Sequence, residues 1–113
     1  RGETFRDLPL LAVSRERSAD GEAAKWGDAL RKMVRSRQIV ELTYRDLSEQ
    51  ESCRRVWPLG LTLFDEAWLL TAWCEMRGDF RNFRLDRISH LSETGERFTP
   101  VKGQRFEDYL ARL

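Results

Sequence analysis

At Ile39 the hydrophobic period of this chain changes, and no other feature limits the fold so much. Before that point Trp26, Ala29, Leu30, Met33 and Val34 recur at i, i+3, i+4, i+7 and i+8, the spacing of one helix face. After it the apolar residues alternate. Val40, Leu42 and Tyr44 are expected to face a core, and Glu41, Thr43 and Arg45 to face solvent. "DLSEQE" (46–51) is a polar turn, Asp65–Glu66 a tight connection and "RGD" (77–79) another. The runs between them, "SCRRVWPLGLTLF", "AWLLTAWCEM" and "FRNFRLDRISHLSE", each read as a strand. Pro58 and Gly60 inside the first predict a bend or bulge. Phe106, Tyr109, Leu110 and Leu113 return to helical spacing. A helix, four or five short antiparallel strands and a short helix make a mainly β chain with flanking helices. In a chain this small they predict a closed barrel.

The expected division is residues 1–19 as a linker or tail, 20–38 as a helix, 39–98 as the barrel and 99–113 as a short C-terminal helix. The first segment mixes an apolar patch, Leu8 to Val13, with charges, and Pro9 interrupts any helix there. Its leucines offer a docking surface. The opening, without Met, reads as part of a longer protein. Asp20 is the expected N-cap of the first helix, with Glu22 where the helix dipole favours an anion. Lys32, Arg35 and Arg37 fall near its C-terminal end, where cations are favoured. Gly27 weakens its middle by about 1 kcal/mol relative to alanine.

Charge narrows the functional classes. The net charge is only +1, so the global field marks neither a strong polyanion binder nor a trap for acidic substrates. Any anion site must come from local arrangement. Of the basic residues only Lys25, Lys32 and Lys102 are lysine; the rest are arginine, suited to bidentate carboxylate or phosphate contacts and to stacking on rings. A GC-rich genome would give the same bias. Cys53 and Cys74 have no CxxC spacing and no neighbouring histidine, which argues against zinc and redox motifs and predicts buried free thiols. No apolar run has membrane-spanning length and no signal peptide is visible, so the expected location is cytoplasmic. His90 is the only histidine, and no GxSxG, GxxxxGK[ST] or GxGxxG is present. Glu66, Glu75, Asp79 and Asp86 lie close in sequence, and ordinary ion pairing to arginine accounts for them. These features point away from an enzyme, and no cofactor or metal is expected.

The arginines of "GDFRNFRLDRISHL" (78–91) are harder to dismiss. Strand alternation puts Arg81, Phe83, Leu85 and Arg87 on one side and Phe80, Asn82, Arg84, Asp86 and Ile88 on the other. Arg54 and Arg55 approach from another strand beside Trp57, and Trp68 and Trp73 lie on a third. Such a set can hold phosphates and stack rings. It can equally be a solvated face paired to Asp86 and Glu75.

The ordered succession Tyr44; Arg54, Val56, Pro58, Leu59, Gly60 and Leu61; Trp68, Leu69 and Leu70; then Arg81, Phe83, Arg84, Arg87 and Ile88 resembles the WYL domain family over about half the chain. The resemblance implies a small Sm-like, SH3-type β-barrel preceded by an α-helix. It implies a ligand-sensing domain of bacterial winged-helix transcription regulators, commonly homodimeric. Its effector would be anionic, a single-stranded nucleic acid or nucleotide. The implied ligand-binding residues are Arg54, Arg81, Arg84 and Arg87, with Tyr44, Leu69 and Trp73 beside them. Duplex DNA would be read by a winged helix-turn-helix not identifiable in these residues. Leu69 stands where the signature has tyrosine, so a phenolic hydroxyl is missing. Trp73, on the same strand face, is the candidate replacement surface, while Trp68, Leu70, Ala72 and Cys74 opposite are expected core. The alternative is a protein-interaction or dimerisation module whose arginines meet carboxylates across an interface, with Asp46 to Glu51 as the partner patch. An enzyme acting on nucleotides is a third reading, opposed by the missing base and metal site.

Overall fold

A computed structural model of the chain describes residues 21–113. The expected tail 1–19 and the Asp20 cap lie outside the described residues, as does the side chain of Glu22. The elements are helix α1 (Gly21–Ser36), strands β1 (Gln38–Arg45), β2 (Glu51–Phe64), β3 (Ala67–Cys74) and β4 (Asp79–Arg84), a 3-10 turn (Leu85–Arg87), strand β5 (Ile88–Arg97) and helix α2 (Phe106–Ala111). All ladders are antiparallel, in the order β4-β3-β2-β1-β5. The period change at Ile39 therefore marks the true helix-to-strand boundary, and the β2 register skips at Pro58–Gly60 as the bend predicted. Among the described residues no helix is long and apolar enough to cross a membrane.

One strand expected from the sequence is two. The run from Phe80 to Glu93 ends its first strand at Arg84, makes a 3-10 turn and starts again at Ile88. Alternation from Phe83 would send Ile88 outward, yet Phe83, Leu85 and Ile88 are all buried. The turn restores phase, because a 3-10 step rotates the side chains by a third of a turn rather than a half.

The sheet curls. β2 and β3 separate β1 from β4 in the ladder, yet the Tyr44 and Phe83 rings meet edge-on at 5.1 Å. No β4–β5 ladder forms among the described residues; the 3-10 turn spans that side of the barrel. The inner face carries Val40, Leu42, Val56, Leu70, Ala72, Cys74 and Phe83, and α1 adds Leu30 and Met33. Burying each such large side chain stabilises by about 1.5–3 kcal/mol. Trp68 packs against this cluster, as expected with Leu70, Ala72 and Cys74. Trp26 does too, and its indole N–H donates to the Ile88 carbonyl at 2.9 Å.

One further expectation fails. Cys53 is exposed, not buried, because Ser52 and Arg54 take the inward positions of β2 and Cys53 points out beside Thr43. Helix α2 forms at Phe106–Ala111, leaves Leu113 exposed past its end and crosses the outer face of the sheet. Phe106 lies against Gly60, where an added Cβ would come within 3.1 Å of its ring. Tyr109 contacts the Phe80 ring and accepts a 2.9 Å bond from the Asn82 amide.

Asp65 and Glu66 connect β2 to β3 with φ of 55° and 66°. This two-residue turn with both φ positive favours Asn-Gly or Asp-Gly, so Asp65 is tolerated and the Glu66 side chain is strained. The double change Asp65→Asn, Glu66→Gly should raise stability by about 1 kcal/mol and the melting temperature by roughly 4–8 °C. A melting temperature that falls in thermal circular dichroism would mean that the native pair makes an offsetting contact.

The Asp108 carboxyl is held well below the usual carboxylate range, first by the Arg105 side chain and then by the N–H groups of Arg105 and Gly103. Its contribution is full above the unfolded carboxylate pKa, about 3.9, and is lost as pH falls from there toward the folded value. Acid titration should therefore release α2, read as loss of amide protection at Tyr109. Asp108→Asn should remove that step. Release with unchanged pH dependence in the variant would assign it to another carboxylate.

Candidate functional site

Cross-strand partners share a face, so the ladders sort the arginines. Leu42 faces Arg54, Ala72 faces Arg81 and Leu70 faces Phe83. Arg54 and Arg81 thus belong to the inner face, with Tyr44. Arg54 donates from Nε to Ser52 Oγ at 3.3 Å, and its Nη1 lies 4.0 Å from Cys74 Sγ. Arg81 lies over the Phe83 ring, 5.9 Å from its centroid. Tyr44 meets the same ring from the side, and its hydroxyl oxygen accepts the Arg84 backbone N–H at 3.1 Å. Among the described residues neither Arg54 nor Arg81 has a carboxylate in ion-pair range. Both are only half-exposed.

The remaining candidates stand apart from this group. Leu69 pairs with Thr62 and Arg84, and Trp73 with Trp57 and Phe80, all on the outer face. Trp73 meets Phe80 edge-on at 5.2 Å, within the aromatic cluster that seats α2. The Arg84 guanidinium is bidentate to Asp86, at 3.0 and 2.7 Å. That bond raises the arginine pKa and lowers the aspartate pKa. Arg87 is a clamp at the end of the barrel, donating from Nη1 to the Arg45 and Asp46 carbonyls at 3.0 and 2.8 Å. The loop it holds is ordered from within. Asp46 accepts from the Gln50 and Ser48 backbone N–H groups and from the Ser48 hydroxyl, which lowers its pKa. Glu49 pairs with Arg45 at 3.0 Å.

Three of the four neighbouring carboxylates form ordinary ion pairs, as expected, Glu75 with Arg55, Asp79 with Arg112 and Asp86 with Arg84, whereas Glu66, exposed in the β2–β3 turn, has none among the described residues. Sequence reading missed Cys74 and Phe83 as the floor beneath the inner arginines. The phase of Phe83 relative to Arg81 was a usable signal. The approach of Cys74 to Arg54 depends on pairing across 20 residues and left none. A groove of about 420 Å³, walled by Val34, Arg37, Phe98, Pro100 and Gln104 among others, shares no residue with the expected site.

The Arg87 geometry sets a test. Charged hydrogen bonds of this kind contribute about 1.5–3 kcal/mol each. Arg87→Ala should lower the denaturation midpoint and speed amide exchange across residues 45–50. Full stability in the variant would mean that water satisfies both carbonyls equally well.

Comparison with known proteins joins the barrel to a family. The WYL domain profile matches residues 27–93. The DNA-binding transcriptional repressor CapW of Escherichia coli strain KTE188 is 33% identical over 63 residues, 55% of this chain and 21% of the repressor, and a second Escherichia coli CapW matches to the same extent. The match thus spans about a fifth of these relatives' length. The solved structure of proteasome accessory factor B/C (PafBC) of Arthrobacter aurescens superposes with a TM-score of 0.69 and 31% identity, covering 76% of this chain and 13% of its own. With its five-stranded antiparallel sheet, its leading helix and its Sm-like fold, the chain belongs to the WYL domain family.

Proposed function

We propose that this domain is the ligand-sensing part of a transcription regulator and that its inner face holds an anionic effector, a single-stranded nucleic acid or a nucleotide. The observation that carries the reading is the state of Arg54 and Arg81. They share one face with Tyr44, rest on Phe83 and Cys74, and have no carboxylate partner among the described residues. Most other arginines here are paired. Half-buried unpaired guanidinium groups retain the desolvation that a phosphate or carboxylate relieves. The half-buried Tyr44 ring beside them supplies stacking surface, while the fully buried Phe83 ring supports Arg81 from below. CapW, matched over this region, is a DNA-binding transcriptional repressor, which supports a regulatory role for the whole protein. The effector acts only if it binds one arrangement of that protein better than another.

The alternative interaction-module reading gains less. Its acidic patch is engaged already, Asp46 with its own loop and Glu49 with Arg45.

The test is fluorescence anisotropy with labelled single-stranded oligonucleotides at low and moderate salt. Binding should weaken with salt. Arg54→Ala or Arg81→Ala, each deleting one phosphate-binding cation, should flatten the log–log slope by about 0.7. Both variants should keep the native melting temperature within a few degrees. Absence of binding at low salt overturns the nucleic-acid version.

A further inference from the structure

A second group of cations lies away from the inner face. Lys32 and Arg35 stand on the solvent side of α1, Arg37 follows its last turn, and Arg97 ends β5 opposite Gln38. All four are exposed, and none has a carboxylate partner among the described residues. Elsewhere the same chain pairs its surface arginines readily: Arg31 with Asp28, Arg55 with Glu75 and Glu96, Arg112 with Asp79.

The helix dipole accounts for part of this. Cations in a last turn are favoured, which covers Lys32 and Arg35. It does not cover Arg97, which is on a strand, nor Arg37. Arg37 has φ of 55°, the left-handed conformation in which helices usually place glycine. Its N–H reaches back to the Val34 carbonyl and its own carbonyl accepts the Phe98 N–H at 3.0 Å. Both bonds use backbone only, so glycine would make them without strain. The side chain is kept at a conformational cost, yet it makes no hydrogen bond or ion pair within the described residues. Strain of that kind points to a role outside the fold.

We propose that this stripe, Lys32, Arg35, Arg37 and Arg97, docks on the phosphate backbone of duplex DNA without reading its sequence. Protein partners need a desolvated apolar anchor at the centre of an interface. The solvent side of α1 has none, since Leu30 and Met33 turn inward and α1 carries no exposed large apolar side chain among the described residues; only Arg37 borders the groove of Val34, Phe98 and Pro100. Phosphates need only positive charge and donors. The inference rests on the regulator reading only for why DNA is at hand; it uses different residues from the effector site, so the two fail separately.

The experiment is anisotropy of this 113-residue chain with a labelled duplex of scrambled sequence, titrated across salt. The wild type should bind at low salt with a log–log slope near −0.9 for each phosphate neutralised. Lys32→Gln with Arg35→Gln should weaken binding about tenfold and flatten the slope by about 1.8. Arg37→Gly is the sharper variant: it should bind the duplex more weakly while its melting temperature rises. Arg54→Ala and Arg81→Ala, which address the effector site, should weaken duplex binding less than the stripe variants do. The proposal is overturned by absence of duplex binding at low salt, by undiminished binding in Arg37→Gly, or by duplex binding that follows Arg54 and Arg81 as closely as the stripe.

Discussion

The three-residue 3-10 turn at Leu85–Arg87 is what the rest of the barrel depends on. β4 and β5 are consecutive in the chain but occupy opposite edges of the sheet, so the connection must cross the open side of the curl. A short crossing is stable only if its apolar residues are buried and its polar groups satisfied. Leu85 and Ile88 enter the core. Trp26 donates to the Ile88 carbonyl, Tyr44 accepts the Arg84 N–H, and Arg87 reaches back to two carbonyls at the end of β1. The same few residues tie α1, β1 and β4 to one another.

That junction explains why arginines so close in sequence do different work. Arg81 precedes the turn on the inner face and rests on Phe83. Arg84, at the end of β4, is turned outward and commits its guanidinium to Asp86. Arg87, within the turn, serves the backbone. A residue type chosen for bidentate bonding is used here for three acceptors: an aromatic face, a carboxylate and main-chain carbonyls. Arg54 and Arg81 have no ion-pair partner among the described residues: the ladder sets them among Cys74, Ala72 and Phe83, and the carboxylate on the same strand, Asp79, is taken by Arg112.

The outer face shows the complementary logic. Trp73, Phe80 and Tyr109 make a chain of edge-on rings, with Phe106 seated where Gly60 leaves room. Trp73 is therefore committed to holding α2. The aromatic surface available to the inner arginines is that of Tyr44 and Phe83 instead.

Sequence alone determined what depends on local pattern. The switch of period at Ile39 marked the helix and the first strand, Pro58 and Gly60 marked the bend, and the spaced Arg, Pro-Leu-Gly-Leu and Trp-Leu-Leu motifs marked the family. Each signal lies within a few residues, where periodicity and turn chemistry act. Tertiary structure decided everything that depends on register between distant strands. It divided the strand expected from Phe80 to Glu93, turned Cys53 outward, and put Leu69 and Trp73 on the other face from Arg54 and Arg81. The physical reason is the two-residue period of a strand: one extra residue at a turn exchanges inside for outside, and only long-range packing fixes which phase is kept.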